Sequence, residues 1–277
     1  MSWRDAAAQE KRLRDWQDGR LRHYESHVAE FARCGCADVT ALLYYYRRPE
    51  EVASTFRYSQ CAIYETWRCC GIMRTVIVTN AMSEQVAALQ GRFPDHVEVQ
   101  LEPSLLPGSV DSLSEDCLSK LHSRFCTKYV LTIQDDGFPL RSGLERFVGK
   151  YDFVGAPFRR RRLVSLAAGL LTGIWPSNGG FSLRSKRICE GAAEAWIRYR
   201  QTHTPRPGCY CDAYYTEIFP RLFPEYRRRH VFANSFAAAR FSHDGCFSEN
   251  AAVSPFGFHN SKGFCEVLDL QEDRSHG

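Results

Sequence analysis

Four short runs of apolar, β-favouring residues recur along the first half of the chain: Val39 to Tyr46 (VTALLYYY), Arg74 to Thr79 (RTVIVT), Val97 to Leu101 (VEVQL) and Tyr129 to Ile133 (YVLTI). Helix-compatible stretches lie between them, one reaching about Cys70, one near Ser83 to Leu89, and one over Asp111 to Phe125. A parallel strand pair needs a long crossover, and the crossover helices then cover the sheet, so this alternation predicts an α/β fold with a mainly parallel sheet flanked by helices. In such sheets ligands bind beyond the carboxyl ends of the strands. Two strand ends carry polar chemistry: Arg47-Arg48 after the first run, and Gln134-Asp135-Asp136-Gly137 after the last.

The 277 residues show neither a linker nor an internal repeat, and 44% hydrophobic with 25% charged residues is ordinary globular usage. Lys plus Arg total 36 against 32 Asp plus Glu, a net charge of +4 that is too balanced for a dedicated nucleic-acid binder. Residues 3 to about 32 read as one long helix, because Leu13, Trp16, Leu21, Tyr24, Val28 and Phe31 recur at helical spacing. The chain therefore divides into a helical extension, 1–37, and a main domain, 38–277. The apolar stripe either packs across that domain or meets a second copy in a homodimer. Charges fill the N-terminus where a signal peptide would be apolar. The longest apolar run, Leu163 to Trp175, falls short of the roughly 18 residues of a spanning helix. A cytoplasmic location follows as the expectation, and reduced thiols with it. Of the 12 cysteines, Cys34/Cys36 and Cys209/Cys211 form C-x-C and Cys69/Cys70 C-C pairs rather than zinc-type C-x₂₋₄-C knuckles, and the cysteines are expected chiefly as buried thiols, with zinc and disulfides as the alternatives.

An apolar strand running into Gln134-Asp135-Asp136-Gly137 sets adjacent acids at a sheet edge. Hard divalent cations take such oxygen ligands together with substrate phosphates, and an Asp-Gly turn that closes the strand explains the same residues. Asp152 to Phe158 (DFVGAPF) reads as a further strand. Asn178-Gly179-Gly180-Phe181-Ser182-Leu183-Arg184 then reads as a glycine-bearing segment opening a helix through Lys186, either to admit a ligand close to the backbone or as a turn and cap. Asp212, at the start of a helix near Asp212 to Phe219, serves as an N-cap or as a carboxylate base. Phe256-Gly257-Phe258-His259 closes the ordered region, its histidine packed among aromatics or acting as a ligand. Arg47 and Arg48 suit nucleotide phosphates or plain solvent exposure. Arg159 to Arg162, followed by the apolar run to Trp175, is either a solvated loop or a peripheral membrane contact on anionic lipid.

Taken in order, IQDDG, DFVGAPF, NGGFSLRS, the acid at the helix start, FANSFAAARFS and FGFH resemble a family of uncharacterised glycosyltransferase-like proteins. Its pattern runs approximately Q-x-D-G, Y-D-Y-I-G-A-P-W, G-N-G-G-F-S-L-R-S, E-D, F-A-P-x-x-x-A-x-x-F-S and F-G-F-H. The resemblance spans about residues 120 to 262 and implies a GT-A-like, Rossmann-type domain that moves a sugar from a nucleotide-sugar to a hydroxyl acceptor. It implies a divalent metal, manganese or magnesium, held by Asp136, with His259 as a metal ligand or a donor-phosphate contact, and Asp212 as the catalytic base. Gln134 and Asp135 fall at the donor side, and Asn178, Gly179 and Gly180 would line the sugar and acceptor side. A glycan or lipid-linked acceptor, in glycan or cell-envelope polysaccharide synthesis, goes with that reading. Three positions depart from the pattern: Phe158 for Trp, Ser177 for Gly, and Cys211 for the first acid of E-D. The last departure keeps a non-catalytic nucleotide- or glycan-binding protein, or an assembly partner, in play.

Overall fold

The computed structural model describes residues 3–27, 36–72, 74–157, 173–244 and 254–275. The chain begins with helix α1 (Trp3–His27), then β1 (Val39–Tyr45), α2 (Pro49–Cys70), β2 (Thr75–Thr79), α3 (Glu84–Arg92), β3 (Val97–Leu101), α4 (Val110–Ser119) and β4 (Tyr129–Ile133). Next come β5 (Gly137–Pro139), β6 (Phe153–Pro157), β7 (Ser177–Ser185) and α5 (Lys186–Thr202). A short helix α6 (Cys211–Ala213) continues as a π-helical stretch (Tyr214–Ile218) into α7 (Phe219–Leu222), followed by α8 (Pro224–Arg229), α9 (Ser235–Phe241), β8 (Ser242–His243), β9 (Gly257–His259) and α10 (Asn260–Ser275).

Among the described residues six strands form one sheet in the order β3-β2-β1-β4-β7-β6. β1 to β4 run parallel, while β7 runs antiparallel to both β4 and β6. The pleat sorts β1 to two faces. Ala41, Leu43 and Tyr45 face a core shared with α1, α2 and α10, whereas Leu42 joins Val76, Val78 and Val130 against α4 and α5. Burial on both faces is why these strands read as unbroken apolar runs. α2 shows why the crossovers stop where they do: Pro49 sits in its first turn, where a missing N–H costs nothing, and Gly71 ends it at φ 62°, its N–H bonded to the Trp67 carbonyl.

Two expectations need correction. Asn178 to Arg184 is the body of β7 rather than a loop opening a helix; two central glycines had erased the apolar alternation that marks a strand. The helix expected through Lys186 follows as α5, capped by the Ser185 hydroxyl, which accepts from the Ile188 amide. FGFH does not close the ordered region: it forms β9 in a small second sheet, β5-β9-β8, and α10 follows.

The apolar stripe of α1 packs within the chain. Leu13 and Tyr24 are fully buried, and Trp16 stacks on Phe138 and meets Phe264 of α10 edge-on. Each such buried side chain contributes about 1.5–3 kcal/mol. Buried Glu65 of α2 fastens the helix further, accepting from Arg20 Nε (2.9 Å), from the Tyr24 hydroxyl and from Arg68 of its own helix. Val28 and Phe31, and the expected membrane contact from Arg159 through residue 172, lie outside the described residues. Among the described residues no helix is long and apolar enough to cross a membrane.

Candidate active site

The carboxyl ends of β1 and β4 and the start of β7 meet at one edge of the sheet, around a cleft of about 500 Å³. β1 contributes Tyr44, with Tyr46 and Arg47 just beyond it; β4 contributes Ile133 and the acid turn; β7 contributes Asn178, Gly179 and Gly180. Asp212 and His259 enter from α6 and β9.

The acid turn is a tight reversal, with Gln134 and Gly137 exchanging both backbone hydrogen bonds (2.8 and 3.1 Å). It therefore satisfies the strand-closing reading and presents acids at the same time. Asp135 and Asp136 then diverge in role. Asp135 is gripped from the N-terminal helix: Arg14 Nη2 donates to its Oδ2 (3.1 Å), Gln17 Nε2 to its carbonyl (2.6 Å), and Arg47 pairs with Oδ1 at 3.5 Å. Asp136 keeps its carboxylate for the cleft, and its backbone carbonyl accepts from the Asn260 amide (2.6 Å). Burial pushes the Asp136 carboxyl above its ordinary pKa, against the pull of His259.

β5 pairs antiparallel with β9, setting His259 opposite Gly137 and so beside the acid turn. His259 Nδ1 lies 3.1 Å from Asp244 Oδ1, and Nε2 lies 3.1 Å from Gln134 Oε1. Burial alone would lower the imidazole pKa; the bond to Asp244 and the charges of Asp136, Asp244 and Asp212 outweigh it and raise it. Asn260, at φ 63°, adopts the left-handed conformation that asparagine tolerates. It ties Asp136 and Asp244 together, because its side chain donates to the Asp244 carboxylate.

The paired glycines of β7 are explained by close packing. A Cβ on Gly179 would stand 2.6 Å from Arg184 Nη2 and 3.0 Å from Asp212 Cβ; one on Gly180 would stand 2.3 Å from His259 Nε2 and 2.5 Å from Gln134 Oε1. Asn178 folds back, its Oδ1 accepting from the Gly180 amide at 2.7 Å. Asp212 is not an N-cap: Tyr210 holds that place, and Asp212 accepts from the amides of Gly179 (3.0 Å) and Ala213 (2.7 Å). Burial raises its carboxyl above the ordinary value although both amides and Arg184 pull it down. Immediately after it the helix widens to a π-turn, a geometry frequent at functional sites.

Of the expected residues, Arg47, Gln134, Asp135, Asp136, Asn178, Gly179, Gly180, Asp212 and His259 line this cleft. Arg48 does not; it is the exposed residue preceding α2. Sequence reasoning gave no role to Asp244, Asn260, Arg184, Arg14 or Gln17. Asp244 and Asn260 flank motif residues closely enough to be suspected, whereas Arg14 and Gln17 act from more than a hundred positions away and left no local signal.

Among the described residues no three His, Cys, Asp or Glu side chains converge as a closed metal cage. A hard divalent ion does not need one, since one or two carboxylates plus substrate phosphates complete its shell. Asp136 with His259 fits such an open site once the Gln134 amide turns away from Nε2, because Nδ1 is already fixed by a carboxylate in the manner of metal-bound histidines.

Fold and cleft together define an α/β protein with an acid-and-histidine site at the carboxyl edge of its sheet. Residues 101–259, more than half of the chain, match the family described as "Protein of unknown function (DUF5672)", and the chain belongs to that family. No curated protein matches the sequence. Among solved structures the chain is similar to the mannosyltransferase PcManGT from Pyrobaculum calidifontis in complex with GDP-Man and Mn2+, at 13% identity and a TM-score of 0.35, over 72% of this chain and 59% of that one. It is also similar to the apo-form glycosyltransferase GlyE of Streptococcus pneumoniae TIGR4 (9% identity, TM-score 0.46, 79% of this chain and 53% of that one). A third is S. aureus TarS 1-349 in complex with UDP-GlcNAc (9% identity, TM-score 0.33, 61% of this chain and 48% of that one). The chain thus spans 59%, 53% and 48% of the length of these three.

Proposed function

We propose that this protein is a metal-dependent glycosyltransferase that moves a sugar from a nucleotide-sugar to a hydroxyl group of a glycan or lipid-linked acceptor. The observation that carries this reading is the convergence of Asp136, His259 and Asp212, from three distant stretches of sequence, on one cleft at the carboxyl edge of a mainly parallel sheet. Asp136 and His259 would hold a magnesium or manganese ion whose charge, when bound, neutralises the donor diphosphate. Arg47, half-exposed at the mouth, is available to the nucleotide phosphates. Asp212, in an inverting transfer, accepts the acceptor's hydroxyl proton as that oxygen bonds to the anomeric carbon and the bond from carbon to the diphosphate oxygen breaks. Two backbone amides fix its orientation and leave lone pairs free, and its raised pKa makes it a better base near neutral pH.

Release of nucleoside diphosphate from UDP- and GDP-sugars, with manganese present, tests this reading. Slow release that vanishes in Asp212→Asn while nucleotide binding persists supports it, whereas equal release from the variant contradicts it. Cys211 at the position of the first acid of E-D favours a second reading, a binding protein without turnover. Nucleotide binding with no release from any donor would select that reading instead.

A further inference from the structure

Arg184 is the charge in this cleft that the transferase reading does not use. Strand β7 turns its side chain into the core, where it is 1% exposed. Nη2 donates to the Gly179 carbonyl and Nε to the Ser182 hydroxyl, both at 3.1 Å, and the guanidinium lies 4.7 Å from the Tyr215 ring centre and 5.4 Å from that of Phe153. Among the described residues Nη1 has no hydrogen-bond partner. The groups that act most strongly on its charge are Cys211, Tyr215, Cys117 and Cys189, with no carboxylate among them. Asp212 feels that charge and accepts from the Gly179 and Ala213 amides, but among the described residues it forms no ion pair with Arg184.

A buried guanidinium without a carboxylate partner is costly, and an orphaned N–H in a ligand cleft calls for an explanation. Arg184 and Cys211 both line the cleft beside Asp212, on the side opposite Gln134 and His259 across the paired glycines. Resting on the transferase reading, we propose that the acceptor carries an oxyanion, a carboxylate or a phosphate, and that Arg184 receives it next to the base. Cys211 is what leaves the place open. A carboxylate there would close the charge of Arg184 inside the protein, whereas a neutral thiol hydrogen-bonded to Arg184 does not cancel it. The residue that departs from the E-D pattern thereby becomes a determinant of acceptor charge. The Cys211 thiol is drawn below its ordinary pKa by its hydrogen bond with Cys117 and by Arg184, so an internal thiolate is the rival counterion.

Isothermal titration of the full chain with D-glucose, D-glucuronate and D-glucose 6-phosphate, each with and without UDP and manganese, separates these cases. The acidic sugars are expected to bind about tenfold or more tightly than glucose, as a charge-assisted hydrogen bond to Arg184 requires. The tighter of the two acids identifies carboxylate or phosphate as the source. Arg184→Met should erase the preference. Cys211→Glu should erase it too while raising the melting temperature, so the inference stays testable even if the Arg184 variant fails to fold. Equal binding of all three sugars by the wild type, or a preference that survives Cys211→Glu, overturns the proposal. No preference together with a lower melting temperature in Cys211→Ser also overturns it, in favour of the thiolate. A missing response to UDP with the acid preference intact rejects the transferase reading alone; the reverse pattern rejects this inference alone.

Discussion

Replacing Gly180 by Ala adds one methyl group at the centre of the cleft. Its φ lies outside the left-handed region, so the backbone accepts alanine and the effect is steric alone. The new Cβ would stand 2.3 Å from His259 Nε2, 2.8 Å from His259 Cδ2 and 2.5 Å from Gln134 Oε1. Ordinary contact begins near 3.5 Å, so the neighbours must retreat by about 1 Å. Gln134 can swing its amide, but His259 is held through Nδ1 by Asp244 and through its strand by β5. Overpacking of this kind costs about 1–3 kcal/mol, a fall in melting temperature of roughly 2–10 °C for a chain of this size. Displacing a site residue by about 1 Å costs on the order of 100-fold in turnover. Gly91→Ala is the matched control: it lies exposed near the end of α3 with nothing within 4 Å, and should stabilise by about 0.5 kcal/mol. Thermal melts and manganese-dependent nucleotide titration read both variants. A Gly180→Ala protein with unchanged melting and unchanged nucleotide affinity would refute the role given to His259 and Gln134.

Glu65→Gln removes the negative charge, and one of the two acceptor oxygens, shared by Arg20, Tyr24 and Arg68. Because both arginines are about one-third exposed and can rehydrate, the expected loss is about 2 kcal/mol, less than for a wholly buried pair, and unchanged urea denaturation would contradict it. Burial beside Tyr226 and Gly191 pushes the His230 imidazole down to about 4. The unfolded chain takes up that proton near 6.5, so between the two values it binds more protons than the folded one. Stability should therefore fall as pH drops from about 6.5 to 4, by at most about 3 kcal/mol, and level off below. His230→Gln should lack that component, and identical pH profiles of melting temperature would contradict it.

The parallel half of the sheet was readable: β1, β2 and β4 are buried on both faces and β3 is an edge strand with an apolar, β-branched face; β3 and β4 fall at the expected residues, and β1 and β2 within one. β7 was not readable as a strand, since its glycines, required by the packing of Arg184, Asp212, His259 and Gln134, remove the side chains whose alternation would mark it. The acids and the histidine stood out because polar groups at the ends of apolar strands are conspicuous. Their supports did not. The hold of Arg14 and Gln17 on Asp135 depends on a helix crossing the domain, and the contact of Asp244 with His259 depends on a two-residue strand. Local pattern finds the groups that do chemistry, while the groups that aim them are set by long-range packing.

The most direct test of the central claim is calorimetric titration of UDP and GDP into the full chain, with and without manganese, for the wild type and Asp136→Ala. A transferase site predicts binding of a nucleoside diphosphate that manganese strengthens, and loss of the manganese dependence in Asp136→Ala with an unchanged circular dichroism spectrum. Binding that ignores manganese and survives Asp136→Ala, or no binding of either nucleotide, would contradict it.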